Sequence, residues 1–201
     1  PSWNSEVLRC ARDIKKAVRS YVGRSLVHPV VSTMLPKANK NLVPFLQEWC
    51  EIKNYDYRGC AGLQFSINST DDSQRDFLFS GNSLSLDEIS EIGRLLPDPV
   101  GRKYALNFAL ADDTIIDADK LARLFDPMKF MVKITPLHAT DACDDNNLHT
   151  SGGYDYFTPY KEKEEALIKA GFDVIVFVPS YDEDNGLITC GNAILSGTQI
   201  R

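Results

Sequence analysis

Polar side chains that could hold a ligand occur where the predicted strands end. Ser32 lies near the end of one apolar, β-branched run, Ser66 and Asn68 close the next, and His138 follows a later one. In parallel α/β folds, binding sites form at the C-terminal ends of the strands. Hydroxyl, amide and imidazole groups there suit hydrogen bonding to a ribose, a carboxylate or an adenine edge. The alternative is that these side chains only satisfy backbone groups of the adjoining loops.

A thiol with a flexible neighbour lies near the end of the sequence. Cys190 is followed directly by Gly191, which gives the backbone freedom to turn and bring the thiol close to a ligand. The alternative is a small buried hydrophobic side chain. The five cysteines contain no CxxC pair, which argues against a disulfide framework or a zinc ribbon and favours a reducing, cytoplasmic compartment. His138 and His149 flank Cys143, but their spacing matches no standard zinc pattern.

The composition excludes several classes of protein. The 201 residues are 43% hydrophobic and 25% charged, which is typical of a globular protein. No run of about 18 uncharged apolar residues is present, so the sequence predicts no membrane-spanning helix. The formal net charge of -6 opposes a strong nonspecific grip on nucleic acid. The motifs GxGxxG, GxxxxGK(S/T), HExxH and GxSxG are absent, which removes the common nucleotide, metalloprotease and serine hydrolase signatures.

Helical and strand patterns alternate along the sequence. Helices are predicted at about 5–21, 41–52, 85–96, 117–125 and 159–171, and strands at 28–33, 62–68, 103–110, 130–136 and 172–178. The strands are nearly continuous apolar runs, which is typical of a parallel sheet covered by helices. The chain is too short for a closed eight-stranded barrel. We therefore expect an α/β fold, either an open doubly wound sheet or part of a larger barrel.

The first predicted helix is amphipathic. Its apolar face consists of Leu8, Ala11, Ile14, Val18 and Tyr21. The opposite side is basic, which is typical of a solvated face, with contact to RNA as the alternative. Residues 139–159 form a long irregular stretch rich in Asp, Asn and Gly, of the kind found in functional lids or disordered loops.

Five short motifs occur in a recognisable order. They are VVST (30–33), FSINSTDD (65–72), ALNFALADD (105–113), VKITPLHAT (132–140) and ITCGN (188–192). In this order they resemble the radical S-adenosylmethionine (SAM) methyltransferases that methylate adenine in ribosomal RNA. Those enzymes have a strand ending in Ser-Thr, strands resembling SLHAPND and VNLIPYNP, and an ACGQ motif near the C-terminus. Residues 1–4 are similar to the end of their Gly-Glu-Pro motif, so the resemblance spans nearly the whole chain.

The resemblance implies a fold, a cofactor and site residues. The fold would be the C-terminal part of a partial (β/α)6 TIM-like barrel at 1–138, followed by an extension at 139–201 with a long loop, a helix, a strand and the Cys190 motif. SAM would be contacted by Ser32, Ser66, Asn68 and His138. Cys190 would accept a methyl group from SAM. The family's [4Fe–4S] cluster is held by a CxxxCxxC loop that would precede Pro1, so this chain would hold no cluster ligand and would be inactive alone.

The sequence departs from the family at several positions. Asn68 stands where the family has His, His138 where it has Asn, and Asn192 where it has Gln. Residues 179–185 are acidic, whereas the RNA enzymes carry a basic stretch before the ACGQ motif. Because like charges repel, this difference bears on an RNA substrate more than on the radical chemistry. A nucleotide- or metabolite-binding α/β module without chemistry, and an unrelated barrel enzyme, are the alternatives.

These interpretations lead to geometric expectations. The strands within residues 30–134 should pair in parallel, and Ser32, Ser66 and His138 should lie along one edge of the sheet. The thiol of Cys190 should face the same edge from a mobile C-terminal segment. SAM is the expected small-molecule partner and RNA a further one, with no contact to a membrane and no metal held by this chain.

Overall fold

The computed structural model describes residue 4 and residues 6–23, 27–138, 143, 148–150, 158–180 and 182. Helices and strands alternate in this part of the chain. The strands are β1 (Val30–Thr33), β2 (Gly62–Ser66), β3 (Tyr104–Leu110), β4 (Phe130–Pro136) and β5 (Val174–Val176). The α-helices are α1 (Glu6–Val22), α2 (Leu42–Glu51), α3 (Asp72–Leu78), α4 (Leu86–Leu95), α5 (Ala118–Leu124) and α6 (Thr158–Lys169). A π-helix (Ile52–Asp56) continues α2.

The five strands form one sheet in the order β1-β2-β3-β4-β5, and every pairing is parallel. A doubly wound sheet reverses its strand order at a switch point, whereas the strands of a TIM-like barrel follow chain order. The expected α/β parallel sheet flanked by helices, as in a partial TIM-like barrel, is therefore confirmed, and the doubly wound alternative is wrong. Beyond residue 138, β5 pairs with β4 and α6 packs beside these two strands. The division of the chain at residue 138 stays a prediction.

Side chains alternate in size and burial along each strand. In β3, the large side chains of Tyr104, Leu106 and Phe108 are buried, while Ala105 and Asn107 between them are half-buried. The same alternation holds in β4 and, from Leu63 onwards, in β2. The interpretation of the strands as continuous apolar runs rather than alternating ones is therefore wrong, because the hydrophobic core formed by the described residues lies on one face of the sheet. We call the other face, which carries Ser32, Gln64, Ser66, Asn107, Lys133 and Thr135, the open face.

Aromatic packing fixes the helices against the buried face. The ring centroid of Phe130 lies 5.2 Å from that of Phe125 and 5.7 Å from that of Tyr104, distances typical of edge-to-face pairs. Gly93 of α4 permits this packing, because a Cβ atom at that position would lie 2.9 Å from the Phe130 ring. The apolar spacing in α2 and just after it predicts an inner face, which is confirmed because all its members are buried: Leu42, Phe45, Leu46, Trp49 and Ile52.

The predicted apolar face of α1 is only partly buried. Leu8 and Ala11 are in the core, but Ile14 is 42% and Tyr21 90% exposed. The helix is held near its first two turns, where the hydroxyl of Tyr57 donates to the carbonyl of Ala11. The apolar residues of its later turns therefore gain little burial, and their inclusion in the core face is wrong.

Two other helices differ from expectation. The sequence patterns do not predict α3, which begins where Asp71 accepts a hydrogen bond from the backbone of Gln74 at 2.8 Å and whose buried residue is Arg75 rather than an apolar one. For α6, the apolar pattern predicts Ala166, Leu167 and Ala170 on the inner side; Leu167 is buried and Ala170 half-buried, whereas Ala166 is exposed. None of the helices built from the described residues has the length and hydropathy that a bilayer crossing requires.

Candidate ligand site on the open face of the sheet

The register of the sheet sets the open-face side chains in rows. Ser32 pairs with Gln64, and the Gln64 Nε2 donates to the Ser32 hydroxyl at 3.1 Å. The next row joins Ser66, Asn107 and Lys133 on β2, β3 and β4. Rows two residues apart along parallel strands are separated by about 6.6 Å. The structure thus brings the predicted site residues Ser32 and Ser66 onto one face, on neighbouring strands and in adjacent rows.

Asn68 continues the sheet after β2 has ended. Its backbone adopts a positive φ of 60°, a conformation that Asn tolerates better than most residues. Its Oδ1 accepts the backbone N–H of Ala109 at 3.0 Å, while its own N–H donates to the carbonyl of Asn107 at 3.2 Å. The side-chain oxygen of Asn68 therefore takes the place of a backbone carbonyl in the β2–β3 pairing. This is the role expected if the strand-end side chains only satisfy backbone groups of the loops. The Nδ2 of Asn68 has no acceptor among the described residues.

His138 lies farther along the strand axis than the two serines. It follows β4 by two residues and is 6% exposed. The hydrogen bond from the Leu137 N–H to the carbonyl of Leu110, at 2.9 Å, extends the β3–β4 pairing up to it. Its position is separated from Ser66 by the width of β3, and the Ser66 row crosses β4 at Lys133. Ser32 and Ser66 are thus brought together, and His138 lies beyond the end of a more distant strand.

The polar residues directly after Asn68 connect two loops. The hydroxyls of Ser69 and Thr70 donate to the carbonyl of Ile115, at 3.3 and 3.2 Å. The Thr70 hydroxyl also accepts from the Asp117 N–H at 2.7 Å, and its carbonyl accepts from the Lys120 Nζ at 2.7 Å. These contacts fix the loop after β2 to the loop after β3. The motif at 69–72 is therefore explained by structure without a ligand.

A buried arginine holds the end of β2 in place. Arg75 is 2% exposed, and its guanidinium donates to the carbonyl of Ile67, to the hydroxyl of Ser83 at 2.8 Å and to the carbonyl of Leu84 at 3.0 Å. Burial lowers the pKa of Arg75 to about 10, so it stays charged at neutral pH. Because Ile67 lies between Ser66 and Asn68, Arg75 positions the backbone that carries both candidate residues.

Sequence reasoning missed three open-face residues, Gln64, Asn107 and Lys133. Asn107 is half-buried, and its Oδ1 is shielded from solvent without a hydrogen-bond partner in the described part of the chain. The Lys133 Nζ lies 5.1 Å from the centroid of the Phe177 ring. The signal that could have found them is the two-residue alternation of large apolar residues with small or polar ones in β3 and β4.

Comparison with known proteins gives one structural likeness. No family model matches the chain, and no curated protein does. The chain is similar to the crystal structure of a radical SAM methyltransferase from Sphaerobacter thermophilus, with 17% sequence identity and a TM-score of 0.45. The likeness covers 94% of this chain and 59% of that one, so the chain spans about three-fifths of its length. At this level of similarity the fold assignment depends on the strand order and pairing.

The described cysteines do not fit an iron–sulphur cluster. Such a cluster needs thiolates that converge at one place, whereas Cys10, Cys50, Cys60 and Cys143 lie on separate segments. No three His, Cys, Asp or Glu side chains of the described residues form a group that could hold a metal. Burial raises the pKa of the Cys50 thiol to about 11, which keeps it protonated. Cys190 lies outside the described residues.

One surface pocket lies away from this site. A pocket of about 450 Å³ is lined by Gln47, Glu51, Asn54, Tyr55, Leu95 and Pro97. These residues lie at the C-terminal ends of α2 and α4. Because the helices of a parallel α/β sheet run opposite to its strands, the pocket lies toward the N-terminal ends of the strands, away from the strand ends that carry Asn68 and His138.

Proposed function

We propose that this chain is part of a radical SAM enzyme of the methyltransferase type and that it binds SAM over the open face and the strand ends. The observation that carries the proposal is the pair of adjacent rows in which the exposed Ser32 and the half-buried Gln64, Ser66 and Asn107 share one face of the sheet. The order of the five sequence motifs supports the same assignment. Parallel strands in chain order are the framework on which such sites form.

The open face has the chemistry that SAM requires. SAM presents ribose hydroxyls, an adenine edge and an amino acid, all of which hydrogen-bond to hydroxyl and amide groups. The unpartnered Oδ1 of Asn107 costs about 1–3 kcal/mol in the absence of a donor, as expected of a group that awaits a ligand. In the proposal, SAM is held by Ser32, Ser66, Asn68 and His138. When bound, it supplies an activated methyl group.

Cys190 is the proposed methyl acceptor. Its thiolate sulphur would form a bond to the methyl carbon as the sulfonium–methyl bond breaks, with S-adenosylhomocysteine leaving and the thiol proton passing to solvent. Because the described residues offer no ligand set for the cluster, no radical step is assigned to them.

The proposal does not include an RNA substrate, because the charges of the chain do not favour contact with phosphate groups. An adenine of RNA is what the sequence resemblance implies, but the net charge is -6 and residues 182–184 are acidic. On α1, Arg9 is paired with Glu6, and Arg12 with Glu48 at 2.7 Å. These pairs reduce the positive charge available to phosphate groups.

Calorimetric titration with S-adenosylhomocysteine tests SAM binding. We expect saturable binding by the chain and an affinity roughly 2- to 10-fold lower for Ser66→Ala, the loss of about one hydrogen bond. Ser20→Ala, which removes an exposed hydroxyl on α1, should bind as the unchanged chain does. Binding of an unrelated nucleotide without binding of S-adenosylhomocysteine would support the binding-module alternative and contradict the proposal.

Because the chain alone is expected to be inactive, peptide mass spectrometry of the full-length enzyme after turnover with SAM tests the methyl acceptor. A mass gain of one methyl group is expected on Cys190. The exposed thiols of Cys10 and Cys60 serve as internal controls and should stay unmodified. Equal modification of all three would indicate nonspecific alkylation and remove Cys190 from the proposal.

A further inference from the structure

Lys133 differs from the other half-buried lysines because no described residue accepts a hydrogen bond from it. The Nζ of Lys103 lies 2.7 Å from a carboxylate oxygen of Asp173. The ammonium groups of Lys120 and Lys163 each donate to a backbone carbonyl at 2.7 Å. Lys133 contacts only the Phe177 ring among the described residues. Within the part of the chain that the structure describes, its charge is thus left without a compensating negative group.

The neighbours of Lys133 in its row are also unengaged donors. Neither the Ser66 hydroxyl nor the Asn107 Nδ2 donates to an acceptor in the part of the chain that the structure describes. Adjacent strands lie about 4.8 Å apart, so the row Ser66–Asn107–Lys133 spans about 10 Å. None of the described strand residues on the open face is Asp or Glu. Within the described strands, the open face therefore offers donors and one positive charge without a carboxylate to accept their hydrogen bonds.

Asn107 and Lys133 are unfavourable choices for a half-buried strand position without a ligand. A half-buried charge without a partner and a shielded, unpartnered amide oxygen both cost free energy. A β-branched apolar residue would suit either strand position better. Their presence in one row, on the face that carries the candidate site, is consistent with selection for binding.

We propose that Asn107 and Lys133 bind a singly charged oxyanion, a carboxylate or a phosphodiester, on a second ligand beside the SAM site, with the Phe177 ring as one wall. A single ammonium matches one negative charge, whereas a dianion would keep one charge uncompensated. The amide of Asn107 supplies neutral donors next to the ammonium. The anion site itself is independent of the proposed function. Only the interpretation of its ligand as a second substrate, beside SAM, rests on that function.

Titration of the chain with two small monoanions, acetate and dimethyl phosphate, tests the site. Lysine carrying ¹³C at Cε gives one NMR signal for each lysine, and Lys133→Arg assigns that of Lys133. We expect the Lys133 signal to shift saturably with at least one anion, while the signal of the exposed Lys161 follows ionic strength only. The stronger responder shows whether the site takes a carboxylate or a phosphodiester.

Variants separate the site from general charge effects. Asn107→Ala should weaken the response of Lys133 roughly 2- to 10-fold, as expected for the loss of about one hydrogen bond. Lys161→Met removes one positive charge from an exposed position and should leave the response of the Lys133 signal unchanged. A Lys133 signal that moves no more than the other lysine signals would overturn the proposal, and that titration needs no variant to fold.

Addition of S-adenosylhomocysteine distinguishes this inference from the proposed function. If the anion response persists with that ligand bound, both proposals stand. If the response persists but S-adenosylhomocysteine does not bind, the anion site stands and the SAM assignment fails. If S-adenosylhomocysteine displaces the anion, Lys133 belongs to the SAM site and the separate site is refuted.

Discussion

Replacement of Arg75 by Met tests whether a buried charge holds the candidate site together. Met has a similar length and no donor, so Arg75→Met removes the hydrogen bonds to Ile67, Ser83 and Leu84 without opening a large cavity. The carbonyl of Ile67 keeps one partner, the N–H of Ser69 at 2.8 Å. The other two acceptors lose their charged donor in a partly or fully buried place.

The expected loss of stability follows from opposing terms. Each hydrogen bond to a charged donor contributes about 1.5–3 kcal/mol, so the three bonds of Arg75 amount to about 4.5–9 kcal/mol. Removal of the guanidinium also ends its desolvation cost, which is several kcal/mol for a buried ion. We expect a net decrease of about 2–4 kcal/mol in the free energy of unfolding, a large share of the roughly 5–15 kcal/mol of a typical domain.

Urea unfolding followed by circular dichroism measures this effect. Arg94→Met is the matched control, because Arg94 is exposed and paired with Glu91 one turn away; it should cost less than about 0.5 kcal/mol. Arg75→Lys should fall between the two, since a lysine cannot reach all three acceptors. An Arg75→Met variant as stable as the unchanged chain would refute the reasoning, because desolvation would then cancel the hydrogen bonds completely.

Two further predictions concern pH. The spacing of Ser85 and Glu88 predicts a capping box, which is present at the start of α4. Its hydrogen bonds from the backbone N–H and hydroxyl of Ser85 lower the pKa of Glu88 below 4.5, so its stabilisation is present above pH 4.5 and lost as the pH falls. Ser85→Ala should destabilise the chain by about 1 kcal/mol at neutral pH and reduce the loss of stability on acidification, measured by urea unfolding. The control Ser90→Ala should leave the loss on acidification unchanged. Burial raises the pKa of Cys50 from 9.0 to about 11, so stability should fall as the pH rises from 9 through 11. Cys50→Ala should lose less stability between about pH 8 and about pH 10.5; equal losses would contradict this.

The sequence predicted the sheet because its strands are strongly apolar, but it did not predict α3. That helix has seven residues and lacks an apolar stripe. Its attachment depends on a cap at Asp71 and on Arg75, a residue type that hydrophobic periodicity assigns to the surface. Tertiary hydrogen bonds thus hold in place a helix that the apolar pattern does not predict. The exposed second half of α1 is the converse case, in which an apolar stripe is present and the contacts are not.

The sequence did not reveal the open face, because some of its residues are apolar and differ from the core residues mainly in size. Ala105, Ala109 and Met131 count as apolar, so β3 and β4 appear as continuous apolar runs in sequence. In the structure these residues share a half-buried face with Asn107 and Lys133, opposite the large side chains of the core. The strand-end rule directed attention to Ser66 and Asn68, but it could not indicate functional residues in the middle of a strand.

The two predicted serines are held to different degrees, which bears on how the site could respond to a ligand. Next to Ser66, the N–H of Ile67 donates to the carbonyl of Asn107 at 2.8 Å, and the Ile67 carbonyl accepts from both Arg75 and the N–H of Ser69. Ser32 lies on the edge strand β1, and its hydroxyl is fixed only by Gln64 in the part of the chain described. Sites are precise where supporting groups fix the backbone. The β2 side of the open face is therefore a preformed support, and the β1 side is the part that can adjust as a ligand binds.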